Sequence, residues 1–373
     1  MYLPVDKAFT KALPKCELHA HLSGSISRPT LHEIWQNKRT TKSDIALGDP
    51  ALALKPAGTF PTILSFFQIF NDYIYNLVND RESIEYATRA VVEDFRRDGV
   101  RYLELRTTPR EIPKANNSRD GYVRIVLEAL EEYHRSQLND TLHEEDRIEV
   151  HLILSIDRTM TASQAEEIID IAEKYQHHAT KPTSTSSNPI TPPTIVGIDL
   201  CGNPTKGTIS TFTPAFLRAK ASPTLKTTVH FAEVPASSTE TELTTLLSWH
   251  PDRLGHAINI PAHLKEVIKE RKIGLELCLS CNVLAEMTQG GFKAHHFGEW
   301  MQTECPVALG TDDVGVFESE LSNEYFIAAR EFGLGREDVV RVARSAVQAA
   351  FGVGGRARMD RLIGEFEKKM GCS

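Results

Sequence analysis

Five side chains of the types that bind metal ions each follow a hydrophobic, strand-like run of this sequence. They are His19, His21, His230, Asp312 and Asp313. His19 and His21 are one residue apart, so on an extended strand both point to the same side and can chelate one ion. Two such histidines, a third histidine and a carboxylate are a suitable ligand set for a catalytic Zn²⁺ ion. Because they lie far apart in the sequence, only the fold can bring them together.

The elements that must position these side chains are short strands that alternate with helices. The strand-like runs are Cys16–His19, Val100–Leu105, Val150–Ser155, Thr194–Asp199, Thr227–Phe231, Arg253–His256, Ile273–Leu277 and Val307–Gly310. Helical spacing of apolar residues falls between most of them, as in Glu82–Asp98, Tyr122–Leu138 and Ser163–Tyr175. This alternation predicts parallel βαβ units. Eight strands favour a closed (β/α)8 TIM barrel over the alternative, a doubly wound open sheet. The C-terminal strand ends of a barrel share one mouth, where catalytic residues lie.

Two segments interrupt this alternation. The first, Thr40–Gly58 with Ile63–Leu77, is long and rich in aromatic residues. It predicts extra helices after strand 1 that cover the C-terminal mouth; the alternative is a helical hairpin that only packs on the barrel. The second, Ala179–Pro193, is rich in Thr, Ser and Pro and predicts a surface insertion. Residues 1–373 are expected to form a single metal-dependent hydrolase domain, since barrels of this length are common.

The composition narrows the classes of partner. The chain has 373 residues and a formal net charge of -8, which makes a nucleic acid an unexpected partner. The N-terminus lacks the apolar stretch of a secretory signal, and no run reaches the ~18 apolar residues that a membrane span needs. The six cysteines are scattered, as buried reduced thiols are, and the expected compartment is the cytosol. Without a heptad or an evident interface, the expected state is a monomer.

Further polar residues at the predicted strand ends suggest acid–base chemistry. Glu233 follows His230 by three residues, and a carboxyl group beside a metal site can carry protons; its alternative role is to stabilise a helix N-terminus. His256 ends its own strand and is expected to orient or deprotonate a water molecule, unless it is a buried structural histidine. Asp313 points away from Asp312 on an extended backbone, which frees it to bind substrate. Gly202 permits close approach of a ligand, or is a loop glycine.

Other pairs carry weaker signals. Cys278 and Cys281 form a C-x-x-C pair, but without a second pair core thiols are favoured over zinc or redox chemistry. His295 and His296 lie in a glycine-containing loop that could line the mouth, and the sequence assigns them no role. No glycine-rich motif for a dinucleotide or a triphosphate is present.

These motifs resemble the adenosine deaminase family of zinc (β/α)8 barrels. The matching segments occur in order along nearly the whole chain: Pro14–Ser25, Gly99–Arg110, Val196–Gly202, Val229–Glu233, Arg253–Asn259 and Gly310–Phe317. The resemblance implies one Zn²⁺ per chain, with ligands His19, His21, His230 and Asp312. It implies that Glu233 donates a proton to the purine ring and that His256 assists the attacking water. It also implies that His21, Gly202 and Asp313 contact the substrate.

Within the family, the motifs resemble those of the adenosine deaminase-like proteins, which are N6-methyl-AMP deaminases. That subgroup implies further nucleotide contacts at Ser23, Thr107, Thr108, Pro109, Arg110 and Asp157. Arg110 is suited to supply positive charge to a 5′-phosphate. Two departures bear on substrate choice. Ser23 stands where the subgroup usually has Asn, and a ligand-contacting histidine of the excursion has no counterpart, with Ile74 or Tyr75 falling nearby.

The expected reaction is the zinc-dependent hydrolysis of N6-methyl-AMP, or of another N6-substituted purine nucleoside monophosphate, to IMP and an amine. Two alternatives stay open at this point. One is an adenosine deaminase that forms inosine and ammonia, for which Arg110 would have no phosphate to bind. The other is a catalytically inactive barrel that binds purines. The expected ligand is therefore a small-molecule purine nucleotide, with no nucleic-acid or membrane partner.

Overall fold

Eight parallel strands are hydrogen-bonded in the order in which they occur in the sequence. The computed structural model describes residues 4–41, 47–54, 67–112, 117–139, 141–176 and 190–371. The strands are β1 Lys15–His21, β2 Val100–Thr107, β3 Glu149–Asp157, β4 Ile195–Cys201, β5 Lys226–Phe231, β6 Arg253–His256, β7 Gly274–Leu277 and β8 Val307–Leu309. All eight predicted strands are confirmed. Almost all of their residues are buried, because helices cover the outside and side chains fill the inside of a parallel barrel.

The barrel closes where β8 returns to β1. Ala20 forms a parallel bridge with Asp312, just beyond the end of β8. The amide of His21 donates to the carbonyl oxygen of Asp312 at 2.8 Å, and the amide of Asp312 donates to the carbonyl oxygen of His19 at 2.7 Å. The predicted TIM barrel is therefore confirmed, and the doubly wound alternative is wrong. The closing contact also brings together three of the predicted metal ligands.

Helices connect the strands on the outside of the barrel. Within the described residues the α-helices include Lys7–Ala12, Arg28–Thr41, Pro50–Ala53, Tyr75–Leu77, Arg81–Arg97, Arg119–Asn139, Ala162–Tyr175, Thr213–Ala221, Glu240–Ser248, Ala262–Arg271, Leu279–Leu284, Phe297–Trp300, Val314–Phe317, Leu321–Phe332, Arg336–Ala349 and Val353–Met370. Short 3-10 turns occupy Glu144–Asp146, Ile209–Phe212, Pro235–Ser237 and Phe292–Ala294. None of the helices in the described ranges combines the length and the apolar character that a membrane crossing requires.

Local sequence accounts for where the long covering helices begin. Asp80 caps Arg81–Arg97 by accepting from the amide of Ser83, whose hydroxyl lies against the Asp80 amide in return. Thr161 and Gln164 form the same reciprocal pair at the start of Ala162–Tyr175. Such capping boxes satisfy amides that have no partner within the helix. They therefore determine where these two covering helices begin.

The excursion after β1 lies over the C-terminal mouth where it is described. Its end is a π-helical turn, Phe70–Ile74, followed by the short helix Tyr75–Leu77. Phe67, Phe70 and Tyr75 line the cavity at the mouth, as expected of a cover. Residues 42–46 and 55–66 of the predicted excursion lie outside the described residues. The same holds for 177–189, which contain most of the predicted insertion.

Candidate active site

Five ligand-type side chains converge at the C-terminal ends of β1, β5, β6 and β8. His19 and His21 end β1, His230 lies in β5, His256 ends β6, and Asp312 follows β8. Nε2 of His19 and Nε2 of His21 each lie 3.3 Å from Oδ1 of Asp312. Nε2 of His21 lies 3.1 Å from Nε2 of His230. Nε2 of His256 lies 3.9 Å from Oδ2 of Asp312.

This group can hold a metal ion. One ligand atom from each of His19, His230, His256 and Asp312 fits within 4.8 Å of the others, and all four residues are buried. His21, the fifth candidate, is partly exposed at the same place. Buried nitrogens that have no hydrogen-bond partner in the described structure, Nε2 of His19 and Nε2 of His256, point to an absent partner. Five groups therefore compete for the three or four protein positions of a catalytic zinc site.

Electrostatics favour a cation at this position. Burial favours the neutral ring of His19, but Glu276 and Asp312 outweigh it and raise the pKa of His19 to about 9. Burial lowers the pKa of His230 to about 3, which leaves that ring neutral and able to bind a metal. Burial alone would raise the pKa of Asp312, yet His19 and His21 hold it well below its ordinary range. The donor set and its charge fit a divalent cation.

Two carboxylates from the barrel interior orient the histidines. Nδ1 of His19 lies 2.5 Å from Oε2 of Glu276 in β7, and Nδ1 of His230 lies 3.1 Å from Oδ1 of Asp199 in β4. With the proton of each ring held on Nδ1 by a carboxylate, the lone pair of Nε2 points into the cluster. This arrangement is usual for metal-binding histidines and raises their basicity.

One buried arginine links the two carboxylates. Arg106 NH2 donates to Glu276 at 2.7 Å and to the carbonyl oxygen of Leu18 at 2.7 Å, and Arg106 NH1 lies 3.3 Å from Asp199. Arg253 binds the other oxygen of Glu276 at 2.6 Å. Burial alone would raise the pKa of Glu276, but Arg106, Arg253 and His19 hold it well below its ordinary range. The carboxylate beneath His19 is therefore ionised.

Glu233 and Asp313 are buried acids that face the same space. Burial raises the pKa of Glu233, and its Oε2 has no hydrogen-bond partner in the described structure. Its Oε1 lies 3.9 Å from Nε2 of His256. Burial, Asp312 and Glu233 together raise the pKa of Asp313 well above its ordinary range. A carboxyl group with a raised pKa can be protonated near neutral pH and can act as a general acid.

The glycines beside these groups leave space that a side chain would fill. A Cβ at Gly24 would lie 1.5 Å from Oδ1 of Asp313, and a Cβ at Gly255 would lie 2.6 Å from Cε1 of His19. Gly202 has φ +97, and its Cβ would lie 2.3 Å from Asp157. Bringing backbone this close to functional carboxylates and rings requires glycine.

A cavity of about 360 Å³ opens in front of these residues. It is lined by nearly all of the side chains that the sequence predicted for substrate and catalysis: His21, Ser23, Thr107, Thr108, Asp157, Gly202, Glu233, His256 and Asp313. Of Ile74 and Tyr75, the two residues that fall near the missing subgroup histidine in the sequence, Tyr75 lines the cavity. Pro109 and Arg110 do not line it. They line a neighbouring cavity of about 680 Å³, which shares Tyr75, Thr108, Asp157 and Thr159 with the first.

Similarity to known proteins identifies the family of this chain. The family model described as adenosine deaminase matches residues 14–359. The chain belongs to the adenosine deaminase family. A relative from Xenopus laevis named N6-Methyl-AMP deaminase-L is 36% identical over 92% of this chain and 90% of its own length. One from Homo sapiens named N6-Methyl-AMP deaminase is 32% identical, covering 93% of this chain and 91% of the relative.

Solved structures of this family agree with the fold. A structure titled as arabidopsis N6-mAMP deaminase MAPDA superposes with a TM-score of 0.82 at 32% identity, covering 96% of this chain and 99% of that one. Another, titled arabidopsis ADAL complexed with IMP, gives a TM-score of 0.83 at 32% identity over 97% of this chain and 99% of its own. The predicted membership of the adenosine deaminase family, and with it the prediction of a deaminase that hydrolyses C–N bonds, is confirmed.

The adenosine deaminase family site contains groups that the sequence did not reveal. Glu276 and Asp199 fall within predicted strands, and Arg106 directly follows the predicted strand Val100–Leu105. A charged residue in or beside an apolar run is a usable signal of a paired buried charge. Lys206 was also missed. It is exposed at the rim of the cavity, in the turn after β4 that is closed by its amide donating to Asn203.

The cysteine pair has a position that its spacing did not indicate. Cys278 and Cys281 are both buried and free, as core thiols are. Burial raises the pKa of the Cys281 thiol well above its ordinary value, so it keeps its proton. Its Sγ lies 2.8 Å from Oδ2 of Asp312, to which the thiol donates. Cys281 thus occupies one oxygen of Asp312 and leaves Oδ1 facing His19 and His21.

Proposed function

We propose that this protein is a zinc-dependent hydrolytic deaminase of N6-methyl-AMP that forms IMP and methylamine. The observation that carries this proposal is the buried acid Glu233, whose raised pKa suits proton donation, in one cavity with a His and Asp cluster that fits a metal. Relatives with the same fold over nearly their whole length are named N6-methyl-AMP deaminase, and related structures are titled as complexes with IMP and GMP.

The proposed ligands of one Zn²⁺ per chain are His19, His21, His230 and Asp312. Nε2 of His21 lies within 3.3 Å of Asp312 and 3.1 Å of His230, so it belongs to the same cluster as the buried ligands. When bound, the metal ion lowers the pKa of water towards ~7 and so supplies a nucleophile at neutral pH. A structure solved from Burkhoderia ambifaria with bound Zn has a similar fold, with a TM-score of 0.77.

The chain's own residues divide the remaining work. Asp313 and Gly202 hold the purine ring in the cavity with C6 towards the cluster. His256 holds the attacking water, which adds to C6 while Glu233 gives its proton to N1. One proton of the water restores the acid form of Glu233, and the other passes to N6 as the C6–N6 bond breaks and methylamine leaves. Burial excludes bulk solvent from Glu233, which strengthens each of these polar interactions.

The nucleotide part of the substrate extends towards the rim. Asp157 and Thr108 line both cavities and are suited to contact the ribose, since they lie between the deep cavity and the neighbouring one. The hydroxyl of Thr107 lies 2.8 Å from that of Tyr122. The guanidinium group of Arg110 lies 4.5 Å from the ring centre of Tyr75 and donates from NH2 to the carbonyl oxygen of Val78. Ser23 lines the deep cavity and is a further proposed contact.

A substrate panel tests the proposal. With N6-methyl-AMP, AMP, adenosine and N6-methyladenosine at equal concentration, kcat/KM is expected to be highest for N6-methyl-AMP, by roughly 10-fold or more over either nucleoside, because charge-assisted phosphate contacts contribute 1.5–3 kcal/mol. Formation of IMP and methylamine is followed by chromatography. A preference for adenosine would support an adenosine deaminase instead. No turnover by protein with one metal per chain would support an inactive purine-binding barrel.

Two matched substitutions test which residue binds the 5′-phosphate of the substrate. Arg110→Met is expected to lower kcat/KM for N6-methyl-AMP by roughly 10–100-fold, as a lost charge-assisted bond predicts, and to leave N6-methyladenosine nearly unchanged. Lys206→Met removes an exposed charge at the rim of the deep cavity, in the turn after β4. An effect of about 3-fold that fades at high salt is expected. A larger loss with Lys206→Met would move the phosphate to the turn after β4. Equal losses for nucleotide and nucleoside would contradict a phosphate contact at Arg110.

We also propose that the chain works as a single-domain monomer in the cytosol. The compartment is supported by the five described cysteines, which are all buried and free, since disulfides are rare in reducing compartments. Light scattering of the purified full chain at a mass near 41.6 kDa would agree with a monomer.

A further inference from the structure

The two adjacent loop histidines, His295 and His296, both reach His256. Nε2 of His296 lies 2.5 Å from the carbonyl oxygen of His256, to which it donates. His295 reaches the ring of His256 through the side-chain amide of Asn282. The two loop rings stack with their centres 4.1 Å apart. A residue pair without an assigned role therefore holds both the backbone and the ring of His256.

The proton of His295 has a definite place. The backbone amide of Phe297 donates to Nδ1 of His295 at 3.1 Å, so Nδ1 carries no proton. Burial lowers the pKa of His295 to about 2, so the ring is neutral near pH 7. A neutral imidazole has one proton, which here must lie on Nε2. Nε2 of His295 therefore donates to Asn282.

That donor fixes the orientation of the Asn282 amide. The structure places Nδ2 of Asn282 3.0 Å from Nε2 of His295 and Oδ1 of Asn282 2.9 Å from Nδ1 of His256. This orientation sets two N–H groups against each other in a fully buried contact, which is costly. Oxygen and nitrogen of an amide are assigned from their partners. Turning the amide by 180° gives Oδ1 to the His295 proton and presents the NH₂ group to His256.

We propose that His295 and Asn282 are positioning residues that hold the proton of His256 on Nε2. Nδ1 of His256 then accepts from Asn282, and Nε2–H points into the cavity towards Glu233 and Asp312. A protonated nitrogen cannot coordinate a metal, so His256 is excluded from the ligand set and His21 completes it. His256 donates a hydrogen bond to the attacking oxygen rather than removing its proton. This consequence for the reaction rests on the proposed function, whereas the position of the proton can be measured without substrate.

His296 also positions His256, through a contact with its backbone. His256 has φ 60 and the next residue, Ala257, has φ 53, a conformation that side chains disfavour. The hydrogen bond from His296 holds the carbonyl group between these two residues. The strained turn is thus secured by the loop that also sets the tautomer of the ring.

Nitrogen-15 NMR of the metal-loaded full chain tests the proposal directly. The shifts of imidazole nitrogens distinguish a protonated nitrogen, a free lone pair and a metal-bound nitrogen. The chain has 14 histidines, and the signals of His256 are identified by their loss in His256→Gln. We expect a protonated Nε2 and a lone pair on Nδ1. A proton on Nδ1, or a metal-bound Nε2, would overturn the proposal whether or not the protein deaminates N6-methyl-AMP.

Matched variants test whether Asn282 and His295 set the tautomer of His256. Asn282→Asp keeps the shape but only accepts hydrogen bonds, so the proton of His256 is expected to move to Nδ1. The value of kcat is then expected to fall by up to about 10⁴-fold, the loss that a catalytic histidine in the wrong tautomer causes. His295→Gln keeps a donor and is expected to retain the wild-type signals, whereas His295→Leu is expected to show both tautomers. Unchanged His256 signals in Asn282→Asp would disprove the proposed role of Asn282 in setting the tautomer. If that variant does not fold, the wild-type spectrum alone decides.

Discussion

Replacing Glu233 with glutamine is expected to lower kcat for N6-methyl-AMP by roughly 10³-fold, within the range that general acids contribute. Glutamine keeps the size and the hydrogen-bonding ability of the side chain but cannot give a proton to N1. Burial raises the pKa of Glu233, so the acid can hold a proton at the pH at which the reaction runs. Stopped-assay measurement of IMP at saturating substrate gives kcat.

Measuring the metal content distinguishes loss of the proton donor from damage to the candidate metal site. Glu233 approaches the cluster only at 3.9 Å from His256, so Glu233→Gln and the wild type are both expected to bind about one metal per chain. Glu145→Gln makes the same change on an exposed turn and is expected to leave kcat unaltered. Near-normal kcat in Glu233→Gln with metal bound would exclude Glu233 as the proton donor.

The pH dependence of the reaction rate is expected to follow from the raised pKa of Glu233. Because the pKa of Glu233 is raised, its protonated form persists to higher pH than that of an ordinary glutamate, and the rate should fall as pH rises through that pKa. In Glu233→Gln this alkaline limb should be absent.

The sequence predicted the fold because its signals are local. Short apolar runs such as Val150–Ser155 are typical of buried strands, and the candidate metal-binding residues lie at or just beyond the ends of such runs. The pair that caps a helix at Thr161 and Gln164 is local in the same sense, since its two members are three residues apart. The shared mouth then followed from the geometry of a barrel, which gathers all the C-terminal strand ends.

Groups whose meaning depends on distant partners were not predictable in this way. Glu276 looks like one polar residue in a short strand, and only the closed barrel brings it against His19, 257 positions away in the sequence. The direction of the Arg110 side chain depends on Tyr75, which belongs to the excursion. Asp312 has a left-handed backbone conformation, with φ 61. The sequence does not reveal this conformation, because the position carries aspartate and not the glycine that usually marks it.

These distant partners form one charged layer beneath the candidate metal site, and Glu276 is its centre. Its carboxylate accepts from His19, Arg106, Arg253 and Thr228 at 2.5 to 2.9 Å, and none of these side chains is exposed by more than 1%. Four donors on one carboxylate satisfy it fully, which is the condition under which a buried ion pair is tolerable. The layer therefore couples stability to the orientation of His19.

Replacing Glu276 with glutamine is expected to lower the free energy of unfolding by about 3–5 kcal/mol, because Arg106 and Arg253 lose part of their buried countercharge. The glutamine NH₂ group would also face donors. Since the pKa of Glu276 is held below its ordinary value, its stabilisation is complete above that value and is lost as pH falls below it. The deficit of the variant, measured by urea unfolding, should therefore shrink on acidification.

The same substitution is expected to weaken metal binding by roughly 10–100-fold, the usual effect of removing the carboxylate behind a metal-binding histidine. Glu104→Gln is the matched control. Glu104 binds the other end of Arg253 at 2.6 Å but does not touch His19. It should cost stability while leaving metal affinity in competition with a chelator close to that of the wild type. Equal losses of metal affinity in both variants would show that the layer acts only through stability, and not by aiming Nε2 of His19 at the metal.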